Sequence, residues 1–228
     1  RKDECHVSLK NIQFHRDAGV RVLMIGIPAG IQSAVFAIAN LFVQAGVNSF
    51  NTITVSGNAA ATNADSLIFN VLYAFYTGCS SFMSQNYGAG NKKRVLKSYF
   101  VCLFYSFSAS VLLGVLLFVF GHQFLSLFAT DAAVIDAGMQ RIRIMAFSYA
   151  VSVFMDCTTA ASRGIGKTIV PTIIILLGSC AFRIIWIYTI FAWIHTIPSL
   201  YLLYVFSWLI TSAAEIIYFT ISYRKLNC

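Results

Sequence analysis

The sequence predicts an all-α polytopic membrane protein, and three observations carry that prediction. Hydrophobic residues make up 58% of the 228 residues and charged residues only 11%, far from ordinary soluble composition. The apolar residues fall in six long runs, at about 22–47, 61–84, 97–121, 142–162, 168–194 and 199–223. Each run supplies the roughly 20 residues needed to cross about 30 Å of hydrocarbon. The connections are short, which predicts one compact six-helix bundle. An outer-membrane barrel would instead show alternating segments of about 10 residues.

Residues 1–21 precede the first span, and the mixed polar and apolar pattern of 8–20 predicts a cytoplasmic or interfacial segment. The chain opens on Arg1 rather than Met, which suggests a piece of a longer protein. The first span carries "GIPAG", Gly26 to Gly30. Its proline removes a backbone donor and its glycines permit bending or close packing; Gln32 and Asn40 follow on the same helix. In the second span Asn63, Ser66, Asn70, Tyr73, Thr77, Ser81 and Ser84 recur every three or four residues, a single helical face. The fourth repeats the polar spacing with Ser148, Ser152, Asp156, Thr159 and Arg163, the fifth with Thr168, Thr172, Ser179 and Arg183, and the sixth with Ser207, Thr211, Glu215, Tyr218 and Ser222. Four polar seams predict a hydrated interior, with Asn63, Asn70, Ser152, Asp156, Ser179 and Arg183 turned inward. Residues 224–228 form a short tail.

Lys and Arg mark the cytoplasmic ends of short loops. Residues 1–21 hold Arg1, Lys2, Lys10, Arg16 and Arg21; the 85–97 turn holds Lys92, Lys93, Arg94 and Lys97; 162–167 holds Arg163 and Lys167; the tail holds Arg224 and Lys225. The opposite loops hold only Arg141 and Arg143. Both termini are therefore expected in the cytoplasm. The net charge of +8 points to anionic lipid headgroups as neighbours and gives no reason to expect nucleic acid. Cys5, Cys79, Cys102, Cys157, Cys180 and Cys228 show no CxxC spacing, and the four histidines are scattered. Neither pattern suggests a metal site or a cofactor. No nucleophile and base converge at one depth, so no enzyme is indicated.

Serine and threonine in a membrane helix frequently serve only close packing. Ionisable groups at depth demand more, because each costs several kcal/mol unless paired, neutralised or wetted. Asp156 and Arg183 either form an ion pair with each other or stand on an ion or substrate pathway. Glu215 lies nearer the cytoplasmic end, within reach of Lys225 or the headgroups or on the same pathway. Asp65, about 100° off the seam of its helix, reads as a boundary charge.

"GIPAGIQS", "QNYGAGNKKRV", "ASRGIGKTIVP" and "GSCAFRIIWI" together resemble the multidrug and toxic compound extrusion (MATE) transporters. The resemblance covers nearly the whole chain and matches the second of the family's two six-helix lobes. It rests on Gln85, Asn86, Gly88, Gly90 and Arg94 in one cytoplasmic turn, and on Arg163, Gly164, Gly166 and Pro171 in the next. It implies a secondary antiporter of the bacterial inner membrane. Such a protein exports small organic, often cationic compounds, xenobiotics among them, in exchange for H+ or Na+, by rocking two lobes about a central cleft. The partner it implies is an N-terminal six-helix lobe. Members often carry an acid on the first helix of that other lobe. Some also carry a Glu on the first helix of this one, where the region around Phe36 offers only Gln32 and Asn40. Asp156 matches an acidic position of related bacterial members. A lipid-linked precursor flippase of the same superfamily would need a more cationic cavity, and a non-transporting structural fragment is the remaining alternative.

Overall fold

The computed structural model describes residues 15–226; the expectations placed on residues 1–14, on Cys5, His6 and Lys10, and on Cys228 fall outside them. Six long helices follow one another: α1 Arg16–Asn48, α2 Thr52–Gly88, α3 Lys92–Leu125, α4 Ala132–Gly164, α5 Ile169–Phe191 and α6 Ile197–Arg224. No strand occurs among the described residues. Five of the six are long and apolar enough to span a bilayer; α2 falls short of that apolarity because of its polar seam.

Helix starts are set by polar caps. Asn51, Asn91, Asp131 and Thr196 each accept a hydrogen bond from a backbone N–H in the first turn, at 2.9, 3.1, 2.9 and 3.4 Å. These caps satisfy donors that the helix itself leaves free. The α2–α3 and α4–α5 turns share one construction. Asn91 N–H reaches back to the Asn86 carbonyl at 3.0 Å, and Lys167 N–H to the Ser162 carbonyl at 2.9 Å. Between them stand Gly90 at φ +70° and Gly166 at φ +78°, the left-handed position that closes a helix and favours glycine. "GAG" and "GIG" are thus two copies of one helix stop. Pro171 sits in the first turn of α5, where its missing N–H has no intrahelical role.

Helix α4 is the hub. Two thirds of its apolar span is buried, against 17% for α3 and 6% for α1. Small residues let backbones meet there, as expected where van der Waals packing and not water drives association. A Cβ on Gly57 would stand 2.7 Å from the Gly138 nitrogen, and one on Gly164 would stand 2.5 Å from Met83 Cβ. The apolar core between α2, α3, α4 and α6 includes Leu72, Met83, Tyr149, Val153 and Leu203. Helix α5 departs from regular α geometry twice, in π turns at Leu176–Ala181 and Ile187–Phe191. Such turns recur at functional sites, and these two flank Arg183.

Exposure separates α2 from α3. Beyond its basic first turn, α3 turns mainly apolar residues outward, with Phe104 66% and Leu112 60% exposed. Along α2 the whole seam from Asn63 through Asn70 to Ser84 is exposed. The seam is therefore not packed inside this bundle: Ser66 and Tyr73 border its cavity, while Asn63 and Asn70, expected to turn inward, stand on its open side. The reason is steric: α2 gives its buried face, Ala61, Ala64, Ile68, Leu72 and Met83, to α4, and the seam lies off that face.

Candidate substrate and ion pathway

A cavity of about 590 Å³ opens between α1, α2, α4, α5 and α6. Helix α1 offers it Gln32, Phe36, Asn40 and Val43, residues three or four apart and hence on one face. Gln32, Asn40, Tyr73, Asp156 and Arg183 all line it, as does Arg163. Asn63 lines a separate recess beside the loop between α3 and α4, Asn70 is exposed, and Ser152 and Ser179 are buried behind the wall. Ser152 donates to the Tyr149 carbonyl of its own helix at 2.9 Å. Ser179 meets Thr211 Oγ1 at 3.0 Å, tying the α5 seam to the α6 seam.

Arg183 does not pair with Asp156. It is 2% exposed, donates to Ser207 Oγ at 3.4 Å and to Asn40 Oδ1 at 3.3 Å, and lies 4.5 Å from the Tyr204 ring centre and 5.5 Å from that of Phe36. Aromatic faces attract a cation by their quadrupole, so neutral groups hold this guanidinium on the far side of the cavity. Asp156 consequently has no ion pair or side-chain hydrogen bond among the described residues, and its carboxylate faces the cavity.

The buried ion pair is elsewhere. Asp65, read as a boundary charge, is 8% exposed and accepts from Arg141 Nη2 at 2.5 Å and from the Tyr149 hydroxyl. Arg141, assigned from the sequence to an outer loop, lies ten residues inside α4. Its Nη1 donates to Asn58 Oδ1 at 2.6 Å, and its guanidinium lies 5.0 Å from the Tyr201 ring centre. Tyr201 donates to Asn58 Oδ1 at 3.0 Å, and Asn58 donates to Gln44 at 3.3 Å. This network links α1, α2, α4 and α6 on the cavity wall.

Arg163 is more than a loop anchor. It donates to Tyr76 at 2.8 Å on α2, to Gln32 at 2.5 Å on α1 and to Thr172 at 3.3 Å on α5, closing one end of the cavity. Gly164 and Gly166 next to it make the close packing and the turn described above. Gln85 donates to Ser81 at 3.3 Å and Asn86 to Ser98 at 3.1 Å, while Gly88 and Arg94 flank the exposed turn. Glu215 reaches neither Lys225 nor the surface. It is fully buried, and both its carboxylate oxygens lack a hydrogen-bond partner, as do Thr159 Oγ1 and Ser162 Oγ on α4. Parallel packing of α4 and α6 sets its depth. Ser212 donates to the Val151 carbonyl at 3.4 Å, and Tyr99 touches both Thr158 and Phe219, so Glu215 lies level with Phe154 to Asp156, behind the cavity wall.

A site with one unpaired carboxylate, aromatic faces and a separate cation is suited to binding an amphipathic organic ion and a small cation together. Comparison with known proteins gives the arrangement a family context. The sequence profile of the MatE family matches residues 28–189. The chain is 31% identical over 128 residues to the probable multidrug resistance protein YpnP of Bacillus subtilis, covering 56% of this chain and 29% of that one. It is 24% identical over 158 residues to the probable multidrug resistance protein NorM of Thermotoga maritima, covering 67% and 33%. The outward-facing structure of a multidrug resistance MATE family transporter of the MOP superfamily superimposes with a TM-score of 0.85 at 16% identity, over 96% of this chain and 49% of that one. The matches thus take in about a third of the curated relatives and half of the solved chain.

Proposed function

The chain belongs to the MatE family of membrane transporters, and from that premise we propose that it is the C-terminal lobe of a secondary multidrug antiporter. In this reading an N-terminal six-helix lobe faces the exposed seam of α2 across a central cleft, in a bacterial inner membrane with both termini cytoplasmic. The observation that carries it is the pairing of the cavity with that seam. An exposed row of asparagine, serine and threonine is unsuited to hydrocarbon and suited to a second polar wall. The protein is then a transporter of xenobiotics and no enzyme. Asp156 is the group that binds the inward-moving H+ or Na+. Phe36, Tyr73, Tyr76 and Trp208 on the cavity wall receive the organic, often cationic compound by stacking and cation–π attraction.

One observation favours the flippase reading. Arg141 and Arg163 join Arg183 on the wall, three arginines against the two carboxylates Asp65 and Asp156. Yet Arg141 is spent on Asp65, and the other two are held by neutral acceptors, which leaves a weak field for a diphosphate headgroup. Transport assays separate the readings. In an efflux-deficient bacterium the 228 residues alone should leave ethidium accumulation unchanged. Joined to an N-terminal lobe of a MATE relative, they should lower it in an ion-gradient-dependent way. Energy-dependent export by the chain alone would mean that two copies supply both walls. Movement of an anionic lipid-linked sugar but no organic cation would establish the flippase.

A further inference from the structure

We propose that the groove between the second half of α2 and the first half of α3 binds one anionic phospholipid, headgroup at the Asn86–Lys97 end and one acyl chain along the shaft. The inference rests on the membrane-spanning fold and is independent of the transport reading. The groove encloses about 510 Å³. Arg94, Lys97, Val101 and Tyr105 of α3 line it at intervals of three or four residues, one helical stripe. Its chemistry changes along its length. At one end stand Arg94, Lys97, Ser98 and Asn86; beyond them come Phe82, Gly78, Val101 and Tyr105.

Three features fit an amphiphile rather than a free ion or another helix. First, no carboxylate lines the groove among the described residues, so the two cations at its mouth are left to attract an external anion. Second, the sequence offers four basic residues within six positions, Lys92, Lys93, Arg94 and Lys97, but the fold divides them. Lys92 Nζ is engaged by the Leu226 carbonyl at 2.6 Å and lies 5.4 Å from the Tyr223 ring, whereas Arg94 and Lys97 are exposed at the groove. A topology signal alone would not require that sorting. Third, the eleven helical steps from Arg94 to Tyr105 rise about 16 Å at ~1.5 Å per residue, close to one leaflet of roughly 15 Å. The shaft is open: a Cβ on Gly78 would meet nothing within 4 Å, and Phe82 and Tyr105 are 57% and 60% exposed. A free phosphate would use only the mouth, and an apolar helix only the shaft. Basic recesses between transmembrane helices recognise anionic headgroups in this way.

Native mass spectrometry of the 228-residue chain, titrated with phosphatidylglycerol and phosphatidylcholine of identical acyl chains, tests the proposal. Phosphatidylglycerol should be retained in a one-to-one complex well above phosphatidylcholine. Each basic residue contributes about fivefold near an anionic surface, so Arg94→Gln with Lys97→Gln should lower retention ~25-fold. Because these charges also direct insertion, Gly78→Phe is the second variant: it keeps both cations, fills the shaft, and should abolish the lipid preference. Soluble glycerol phosphate should not compete at equal concentration. Equal retention of the two lipids, unchanged phosphatidylglycerol binding in Gly78→Phe, or effective competition by glycerol phosphate each overturns the proposal.

Discussion

Asp65 and Asp156 are carboxylates on neighbouring helices of the same cavity, and they are treated in opposite ways. Asp65 is saturated: a guanidinium on one oxygen, a tyrosine hydroxyl on the other, with Asn58 and the Tyr201 ring against the guanidinium and Gln44 behind Asn58. Asp156 has no partner and faces the open cavity, with Glu215 at the same depth one layer behind it and equally without partners. Depth alone does not separate a structural charge from a working one. A saturated carboxylate gains nothing from an incoming ion, whereas an unsaturated one stabilises whatever cation arrives.

Four substitutions break or sharpen that contrast, and the largest effect is expected at the saturated end. Asp65→Asn leaves the Arg141 guanidinium buried and unpaired, a loss of about 3–5 kcal/mol, read as a fall in folded yield and in melting temperature in detergent. Asp65→Asn combined with Arg141→Met should recover most of it. A single-variant loss under ~1 kcal/mol would make Asp65 no more structural than Asp156. Arg163→Gln comes next. It removes the charged donor shared by α1, α2 and α5, worth roughly 1.5–3 kcal/mol per charge-assisted bond without additivity, and amide exchange should rise first in α1.

Asp156→Asn should shift stability by less than about 1 kcal/mol, because no pair is broken, while ion-coupled export by the complete transporter falls to background. A large loss of folded protein that Arg183→Gln restores would instead make Asp156 the resting partner of Arg183. Glu215→Gln gives the smallest effect, within roughly 0.5 kcal/mol or slightly stabilising, since an isosteric amide replaces a carboxyl that no cation holds. A melting-temperature drop comparable to that of Asp65→Asn would place Glu215 with the saturated group.

Much of the fold was legible because lipid imposes a simple length and composition on each helix. The six runs fall in six helices, five of them apolar enough to span a bilayer, and the two G-x-G turns closed where their residues indicated. The Asp65–Arg141 pair was not read because α4 starts at Ala132, well before its apolar run, so that Arg141 was assigned to a loop. A signal was present nonetheless. Asp65 falls on the stripe of Ala61, Ile68 and Leu72, which the structure buries, and a charge on an apolar stripe requires a partner on the facing helix. The cavity residues Tyr73, Asp156 and Arg183 were reached through the three-four spacing of polar positions, and Gln32 and Asn40 as the polar residues that follow Pro28 on an otherwise apolar helix. The same spacing could not say which way the α2 seam faces, because periodicity defines a face and packing decides its neighbour. The π turns in α5 have no composition of their own, and nothing in "LLGSCA" announces one.

The open seam of α2 also bears on how the chain enters the membrane. During synthesis each helix leaves the translocon according to its own partition between lipid and water, and α2 is the one long helix that does not meet the apolarity of a self-sufficient span. The Gln85–Asn91 turn joins it to strongly apolar α3 within three residues of loop, so the two are held as a hairpin whose summed partition favours lipid. Biogenesis of α2 therefore waits on α3: nascent chains arrested with α3 still inside the ribosome should leave α2 crosslinked to the translocon, and those extended past Leu125 should release it.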